Sequence, residues 1–421
     1  MKKRLTGGKG KFLANTGWIV FDKVFHMVLS LVIMSITARY LGKTNYGILN
    51  YGLSFVNIFV TVCKLGIDAI LVSELVKGDR KQEELIGTTI VLRMCSGLLG
   101  ILITGLFVCI LKPGNLVILF VSLIEAVSLL FNAFDTIDYY FQFQLKSKYT
   151  SIAKSISYVC VCVLRIVLVA LKASVTWFAI ATIVDAAAIA VGLLYFYRKS
   201  KMSFSFSIDT AKYLLKNSSP FILASMLTVI YTQMDKIMVG SLNTEAEVGI
   251  YTAAMNIANM WMFIPIAIID SARPIIMQNH HEGKADYMKR FVQLSRFICL
   301  LGTAAGIFFT IFPKLVVWIL YGKQYMDAVP VLMVLIWSRM FSLLGTTRTI
   351  WLICEGKQRY AKWFVGTGAV INVILNTLWI PQSGALGAAT ATLITECVCA
   401  IVLPLLLRDT RGVVLCIFKG R

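Results

Sequence analysis

Apolar runs long enough to cross a lipid bilayer recur along nearly the whole of this chain. A membrane-spanning helix needs about 20 apolar residues, and the sequence supplies such runs repeatedly between short polar loops. The chain is 58% hydrophobic and 15% charged, whereas soluble proteins are about half apolar and about a quarter charged. The sequence therefore predicts one integrated membrane domain, an all-α polytopic membrane protein.

The runs and their polar breaks predict twelve transmembrane helices. The first run is too long for the apolar region of a signal peptide and lacks a cleavage site with small residues, so we expect it to be retained. A basic tail, residues 1–12, precedes it. The predicted spans are 13–39, 46–76, 85–111, 116–140, 152–171, 175–197, 218–240, 248–272, 291–312, 328–354, 360–380 and 384–407.

The basic residues are distributed unequally between the two sides of these spans. One side carries most of them, and the other holds only Lys43, Lys112, Lys172, Lys314 and Lys323. The positive-inside rule then places both termini in the cytoplasm. The net charge of +20 is dispersed through short loops, which fits anionic lipid headgroups and argues against a nucleic-acid partner.

Short motifs recur in the two halves of the chain. Tyr46-Gly47-Ile48 matches Val248-Gly249-Ile250, and Asp185 matches Glu396 in the last span of each half. Six helices per copy make the copies parallel, so we expect two lobes around a central cavity, related by a pseudo-two-fold axis along the membrane normal. The predicted parts are the tail 1–12, an N-lobe 13–197, a linker 198–217, a C-lobe 218–407 and a cytoplasmic tail 408–421.

Charged residues are numerous within the predicted spans. Each costs about 2.5–3.5 kcal/mol at the bilayer centre on insertion scales, so each needs a partner or a polar cavity. Basic residues in such a cavity suit an anionic ligand. The candidates for a cationic cavity are Lys23, Lys64, Lys236, Arg273 and Arg348; the candidates for ion coupling or ion pairing are Asp22, Asp68 and Asp235; Asp185 and Glu396 are expected to anchor the lobes.

Two of these assignments have structural alternatives. Arg273 lies close to a span end, where its side chain can reach the headgroups. Lys64 and Asp68 are four residues apart, a spacing that also suits an ion pair within one helix.

Catalytic and cofactor signals are weak in this sequence. None of the ten cysteines forms a CxxC motif, and His280-His281-Glu282 lies in a predicted loop without further metal ligands. Gly7-Gly8-Lys9-Gly10-Lys11 lacks the spacing of a phosphate-binding loop. We therefore expect no metal, no cofactor, no ATP site and no enzyme activity.

A set of short motifs, in order along the whole chain, resembles one known family. They are residues 38–42, 46–47, 65–68, 235–240, 248–251 and 320–325, then Asn376, Ile380-Pro381 and residues 384–389. The chain resembles the polysaccharide transporters, or Wzx-type flippases, of the multidrug/oligosaccharidyl-lipid/polysaccharide exporter (MOP) superfamily. The resemblance implies a two-lobed bundle with a V-shaped central cavity, in the cytoplasmic membrane of a bacterium.

The same resemblance implies a function. Members of the family that the chain resembles export undecaprenyl-diphosphate-linked repeat units for capsule, O-antigen or related polymers, by alternating access. The related lipid II flippases use basic residues on the first, second and eighth helices, to which Lys23, Lys64 and Arg273 are nearest here. Expected partners are the lipid-linked oligosaccharide, membrane lipids, H⁺ or Na⁺ as a coupling ion and a polymerase, with the transporter as a monomer.

Three alternatives remain open at this point. A lipid II flippase and a cation-coupled drug exporter belong to the same superfamily. The many basic residues within spans argue against organic cations, which favour acidic or aromatic sites. A membrane polysaccharide polymerase is the third, although the short outer loops here carry few groups for catalysis.

Overall fold

The computed structural model describes residues 2–200, 202–282 and 286–419. The side chains of residues 2–17, 19–24, 28, 223, 224, 227, 228, 230, 418 and 419 lie outside this description. Within the described residues the chain is helical almost throughout and contains no β-strand.

Seventeen α-helices follow one another along the described chain. They are α1 (Lys2–Cys63), α2 (Asp68–Lys77), α3 (Gln82–Leu111), α4 (Leu116–Ala126), α5 (Ser128–Asn132), α6 (Thr136–Phe143), α7 (Lys148–Ala170), α8 (Val175–Lys199), α9 (Ile208–Leu242), α10 (Glu245–Met260), α11 (Phe263–His281), α12 (Tyr287–Ile311), α13 (Pro313–Tyr321), α14 (Ala328–Cys354), α15 (Arg359–Cys397), α16 (Leu403–Leu406) and α17 (Arg408–Lys419).

Many of these helices are long and apolar enough to cross a membrane. Within the described residues, eight helices meet that condition, or nine if α10 and α11, bent by 43° at their junction, form one span. Large apolar side chains are exposed at helical spacing along α3, including Leu98, Leu102 and Leu106, which is typical of a lipid-facing surface. The predicted class, an all-α polytopic membrane protein, is confirmed.

Two long helices each contain a break at a glycine, so that one helix covers two predicted spans. Gly42 interrupts α1 (φ 69°, ψ 171°) and Gly384 interrupts α15 (φ 53°, ψ −130°). A positive φ strains any residue with a Cβ, which explains glycine at both positions. Glu247 supports the second break, because its carboxylate accepts a hydrogen bond of 2.7 Å from the Ala385 N–H, at the start of the next helical segment.

The chain divides into two compact units. Unit 1 comprises Met1–Leu41 and Ile48–Val229. Its core joins the end of the second predicted span to the third, fourth and sixth and to the start of α9. The central buried side chains are Ile67, Leu71, Leu85, Ile137, Tyr140, Phe141, Leu193, Tyr197 and Leu214.

Unit 2 comprises Gly42–Gly47 and Ile230–Arg421. Its core includes the terminal helix α17, whose Val413, Val414 and Ile417 are buried against α11, α12 and α14. The Arg296 Nε of α12 donates a 2.9 Å hydrogen bond to the Ile417 carbonyl oxygen. The segment predicted as a tail, 408–421, therefore contains a helix that packs on unit 2.

The glycines of the repeated motif face each other within unit 2. A Cβ at Gly47 would overlap the Glu245 carbonyl and lie 3.0 Å from the Gly249 nitrogen. A Cβ at Gly249 would overlap the Lys43 carbonyl and lie 3.2 Å from the Gly47 nitrogen. Both positions therefore require glycine for close backbone approach.

The polar segment 198–217 belongs to unit 1 and packs there against the start of α3. The Ser205 N–H donates to the Glu83 carbonyl oxygen at 3.3 Å. A Cβ at Gly87 would overlap the Ser205 carbonyl oxygen and lie 2.8 Å from the Ser205 nitrogen. The backbone around Ser205 thus lies directly on the first turns of α3.

The start of α9 continues this contact. Arg80 Nη1 donates to Thr210 Oγ1 at 2.6 Å, and the Arg80 guanidinium lies 4.6 Å from the centre of the Tyr213 ring. The Tyr213 hydroxyl donates to Glu74 Oε2 at 3.0 Å. The boundary between the units lies further along α9, after Val229. The lobe limits expected from the sequence stay a prediction.

Candidate functional site

The break between α1 and α2 brings two predicted site residues together in unit 1. Leu65 and Gly66 adopt left-handed conformations, with φ of 54° and 63°. The turn places Lys64 Nζ 3.7 Å from Asp68 Oδ2. The i,i+4 ion pair considered in the sequence is present, but it crosses a helix break and does not lie within one helix.

Arg93 of α3 completes this cluster. Its guanidinium contacts Asp68 Oδ1, and its side chain is only 2% exposed. Its Nε and Nη1 have no hydrogen-bond partner within the described chain. One acid thus serves two cations, and Arg93 keeps N–H groups available for a further acceptor.

Two cavities flank Lys64. The first, ≈ 10 Å³, is lined by Cys63, Lys64, Arg93 and Asn132 among others, and this size suits one water molecule. The second, ≈ 290 Å³, is lined by Thr61, Lys64, Gly66, Asp68, Ala69 and Ser225. Lys64 is therefore the cation that both cavities share.

A second row of charges lies on the helices next to this cluster. Asp138 of α6 pairs with Lys154 of α7 at 2.6 Å. Asp135, in the preceding 3₁₀ turn, interacts electrostatically with Lys154, Lys64 and Arg93. Three acids therefore balance three bases over the wider region, and the excess positive charge is local to Lys64 and Arg93.

Asp235 of α9 is the centre of a buried polar network in unit 2. Its Oδ2 accepts hydrogen bonds from the Tyr251 hydroxyl at 2.6 Å and the Thr392 hydroxyl at 2.8 Å. Its Oδ1 accepts one from Asn376 Nδ2 at 2.7 Å. Asp235 is 4% exposed, and these three donors satisfy both of its side-chain oxygens.

Further oxygen atoms lie around Asp235. Asn376 Nδ2 also donates to Asn372 Oδ1 at 2.9 Å, while Asn376 Oδ1 has no partner within the described chain. Thr392 Oγ1 lies 2.9 Å from the Ala388 carbonyl oxygen. Carboxylate, amide, hydroxyl and carbonyl oxygens are the ligands that hard cations prefer. The network could hold a small cation once its donors turn away.

Arg348 of α14 contacts the backbone of unit 2. Its Nη1 donates to the carbonyl oxygens of Cys399 and Ala400, at 2.7 and 3.1 Å, and its guanidinium lies 4.3 Å from the centre of the Phe364 ring. Both carbonyls belong to a π-helical turn, Val398–Val402. Arg348 thus donates to the backbone of this irregular turn.

The remaining basic candidates are Arg273, Lys236 and Lys23. Arg273 pairs with Asp270 at 3.3 Å, with both side chains substantially exposed. Lys236 interacts electrostatically with its neighbour Asp235, but within the described chain it forms no ion pair. The side chains of Asp22 and Lys23 lie outside the described residues. Lys23 as a cavity cation and Asp22 as a coupling or ion-pair residue stay predictions, as do the cavity assignments of Arg273 and Lys236.

Each of the two repeat-related acids bonds to a hydroxyl on a neighbouring helix. Asp185 of α8 accepts from Ser157 Oγ of α7 at 2.9 Å. Glu396 of α15 accepts from the Tyr231 hydroxyl of α9 at 3.2 Å. The expectation that they anchor their lobes stays a prediction.

Sequence reasoning did not select several residues of these networks. Arg93 is one of many charged residues within the predicted spans, and no sequence pattern links it to Asp68. The contact between them depends on the turn at Gly66. Asn372 and Asn376 lie four residues apart on an apolar helix, a spacing that places both on one face. That spacing is the signal that could have identified the Asp235 network.

A family model described as "Polysaccharide biosynthesis protein" matches residues 12–280, more than half of the chain. The chain belongs to this family. A second model, MatE, matches residues 220–378. The resemblance to polysaccharide transporters noted in the sequence is confirmed. Comparison of this chain with curated protein sequences finds no match.

Solved structures of MOP transporters share the fold of this chain. An inward-facing multidrug resistance MATE family transporter superposes with a TM-score of 0.76 at 13% identity, over 93% of this chain and 96% of that one. The lipid II flippase MurJ, in an inward closed conformation, gives 0.75 at 13%, over 94% and 89%. A MOP superfamily transporter from Pyrococcus furiosus gives 0.56 at 12%, over 97% and 94%. The chain is thus a multi-pass membrane protein with the MOP fold.

Proposed function

We propose that this protein is a transporter that moves undecaprenyl-diphosphate-linked oligosaccharide from the cytoplasmic to the outer leaflet of a bacterial cytoplasmic membrane. The observation that carries the proposal is the Lys64–Asp68–Arg93 cluster, in which two cations share one acid and Arg93 retains unpartnered N–H groups. Membership of the polysaccharide biosynthesis family supports the same cargo.

The chemistry of the cargo explains why such a cluster is useful. A diphosphate must give up part of its hydration to enter a protein cavity, and an ionised group without partners is very costly there. Guanidinium and ammonium groups replace the lost water with charge-assisted hydrogen bonds, and guanidinium can bind phosphate oxygens in pairs. Lys64 and Arg93 are therefore the residues proposed to bind the diphosphate.

The energy for transport is proposed to come from the membrane rather than from ATP. Each elementary charge that crosses contributes about 2.3 kcal/mol per 100 mV. An inside-negative potential favours an anion that leaves the cytosol. The Asp235 network, rich in oxygen ligands, is the proposed site of a coupling cation, with Na⁺ the better fit to neutral oxygens and H⁺ the alternative.

Lipid II is the second candidate cargo. It presents the same polyprenyl diphosphate, so a cationic cluster suits it equally well. The Lys64–Arg93 pair of cations suits this anionic cargo better than the organic cations that a drug exporter binds.

Deletion of the gene in its host tests the cargo. The proposal predicts that lipid-linked repeat units accumulate on the inner leaflet and that surface polymer is lost, while growth continues. Arrest of cell-wall synthesis would instead indicate lipid II. Normal delivery to the outer leaflet with loss of polymer would indicate a polymerase and contradict transport.

A further inference from the structure

Glu125 is a fully buried acid in the interior of unit 1. It lies near the end of α4 and is 0% exposed. Neither of its carboxyl oxygens has a hydrogen-bond partner within the described chain. Ser122, one helical turn earlier, is also 0% exposed and its hydroxyl is likewise unpartnered.

Gly52 of α1 lies directly against the Glu125 carboxyl. A Cβ at Gly52 of α1 would overlap Glu125 Oε2 and lie 3.0 Å from Ser122 Oγ. Glycine at this position therefore makes room for both polar groups. The carboxyl faces the backbone of a neighbouring helix that offers it no hydrogen-bond donor, since helical N–H groups are bonded within their own helix.

One cation acts on Glu125 without bonding to it. Arg165 of α7 interacts with it electrostatically, and the buried Nε of Arg165 also lacks a partner within the described chain. Helices α3, α5 and α8 contact α4, as does α1 at Gly52, and among the described side chains none of these helices supplies a hydrogen bond to the Glu125 carboxyl. A buried carboxyl and a buried guanidinium nitrogen are thus both unsatisfied in one unit.

A neutral carboxylic acid is the form that this packing tolerates. An ionised carboxylate without donors would lose its hydration and gain nothing in return, whereas protonation removes the charge. The same group becomes an anion as soon as water reaches it, and Arg165 could then neutralise that anion. The arrangement therefore has two states that differ by one proton.

We propose that Glu125 is a proton-binding site of unit 1 and that its proton is exchanged with water during the transport cycle. In one half of the cycle, hydronium on one side of the membrane transfers a proton to a Glu125 oxygen, forming the O–H bond and leaving water. In the other half the O–H bond breaks, the proton returns to water on the other side, and the carboxylate is neutralised by Arg165. This proposal rests on the proposed transport function.

Infrared spectroscopy on the purified full-length protein in lipid nanodiscs tests the proton without any cargo. The wild type is expected to show the carbonyl stretch of a protonated carboxyl at neutral pH. That band should disappear in Glu125→Gln and remain in Asp209→Asn, which removes an exposed acid at the start of α9. In D₂O the band should shift as the proton exchanges.

Several outcomes would overturn the proposal. A spectrum unchanged by Glu125→Gln would mean that Glu125 is ionised. A Glu125 band that never shifts in D₂O would mean a sealed acid with a packing role only. A Glu125→Gln variant that loses the band because it misfolds is recognised by a changed elution volume in size-exclusion chromatography. Glu125→Asp, which retains the carboxyl, is then expected to show both the band and the elution volume of the wild type.

Transport measurements connect the proton to the cycle. Export by the wild type in inverted membrane vesicles should vary with pH, and export by Glu125→Gln should be reduced at least several-fold and no longer vary. Wild-type pH dependence in the Glu125→Gln variant would contradict proton exchange at this residue. Absence of oligosaccharide export by the wild type would contradict the cargo, while the infrared results would still decide the proton site.

Discussion

Lys64 differs from an ordinary helical ion-pair residue because Arg93 competes for the same acid. Asp68 lies 3.7 Å from Lys64 Nζ and in direct contact with the Arg93 guanidinium. Charge at position 64, rather than pairing with Asp68, is therefore the property that export should require.

Substitution of Lys64 tests this at the residue scale. Lys64→Arg should keep most export, and Lys64→Gln should lose about tenfold or more, since a hydrogen bond to a charged group contributes about 1.5–3 kcal/mol. Surface polymer and membrane abundance of the protein are measured together. Equal export by both variants at equal abundance would assign Lys64 a purely structural role.

The Asp235 carboxylate predicts a cation effect on stability. Na⁺ that binds the folded protein should raise its melting temperature in a concentration-dependent way, and K⁺ should do so less. Asp235→Asn should lower the melting temperature, since a loss of about 1–3 kcal/mol is typical when buried donors lose their acceptor. It should also abolish the Na⁺ effect. A wild type that responds equally to Na⁺ and K⁺ would contradict a Na⁺ site.

At the scale of elements, the sequence predicts the apolar spans well and the remaining helices poorly. Continuous apolar runs identify a span because lipid imposes length and composition on it. The helix α17 has no such run. Its docking depends on Val413, Val414 and Ile417, and an apolar pattern of so few residues does not distinguish a docked helix from a polar tail. The break at Gly42 lies between the first two predicted spans, 13–39 and 46–76, but the sequence does not show that one glycine of positive φ is enough to make it.

The packing of segment 198–217 on α3 can be tested through Gly87. Gly87→Ala introduces a Cβ that overlaps the Ser205 carbonyl, so the segment should be displaced and cleaved faster by trypsin at Arg198 and Lys199. Limited proteolysis in detergent measures the rate, with about a several-fold increase expected for a locally opened loop.

Gly366→Ala is the matched control for that experiment, because a Cβ there meets nothing within 4 Å. Its cleavage rate should equal that of the wild type. An unchanged rate for Gly87→Ala would mean that the segment is already mobile when the protein is in detergent.

At the scale of the whole molecule, the order of the motifs predicts the fold and the family. The partners of the buried charged residues follow only from the three-dimensional structure. The repeated Tyr-Gly-Ile and Val-Gly-Ile motifs indicated duplication, and the structure adds the reason for their glycines, the close approach of Gly47 and Gly249. Arg93 could not be assigned in advance, because its partner lies 25 residues away and across a turn. Buried charge is recognisable in a sequence, but its pairing is set by packing.

The orientation of the chain is the last prediction. The excess of basic residues on one side implies cytoplasmic termini, so single cysteines introduced at Lys199 and Gln358 should be shielded from an impermeant thiol reagent in intact cells. Cysteines at Thr244 and Lys323 should react. All four positions are exposed, so reactivity reports sidedness rather than burial. The ten native cysteines are first replaced, and permeabilised cells show that every position can react. Labelling at Lys199 but not at Lys323 in intact cells would invert the topology, and with it the direction of export proposed for the anion.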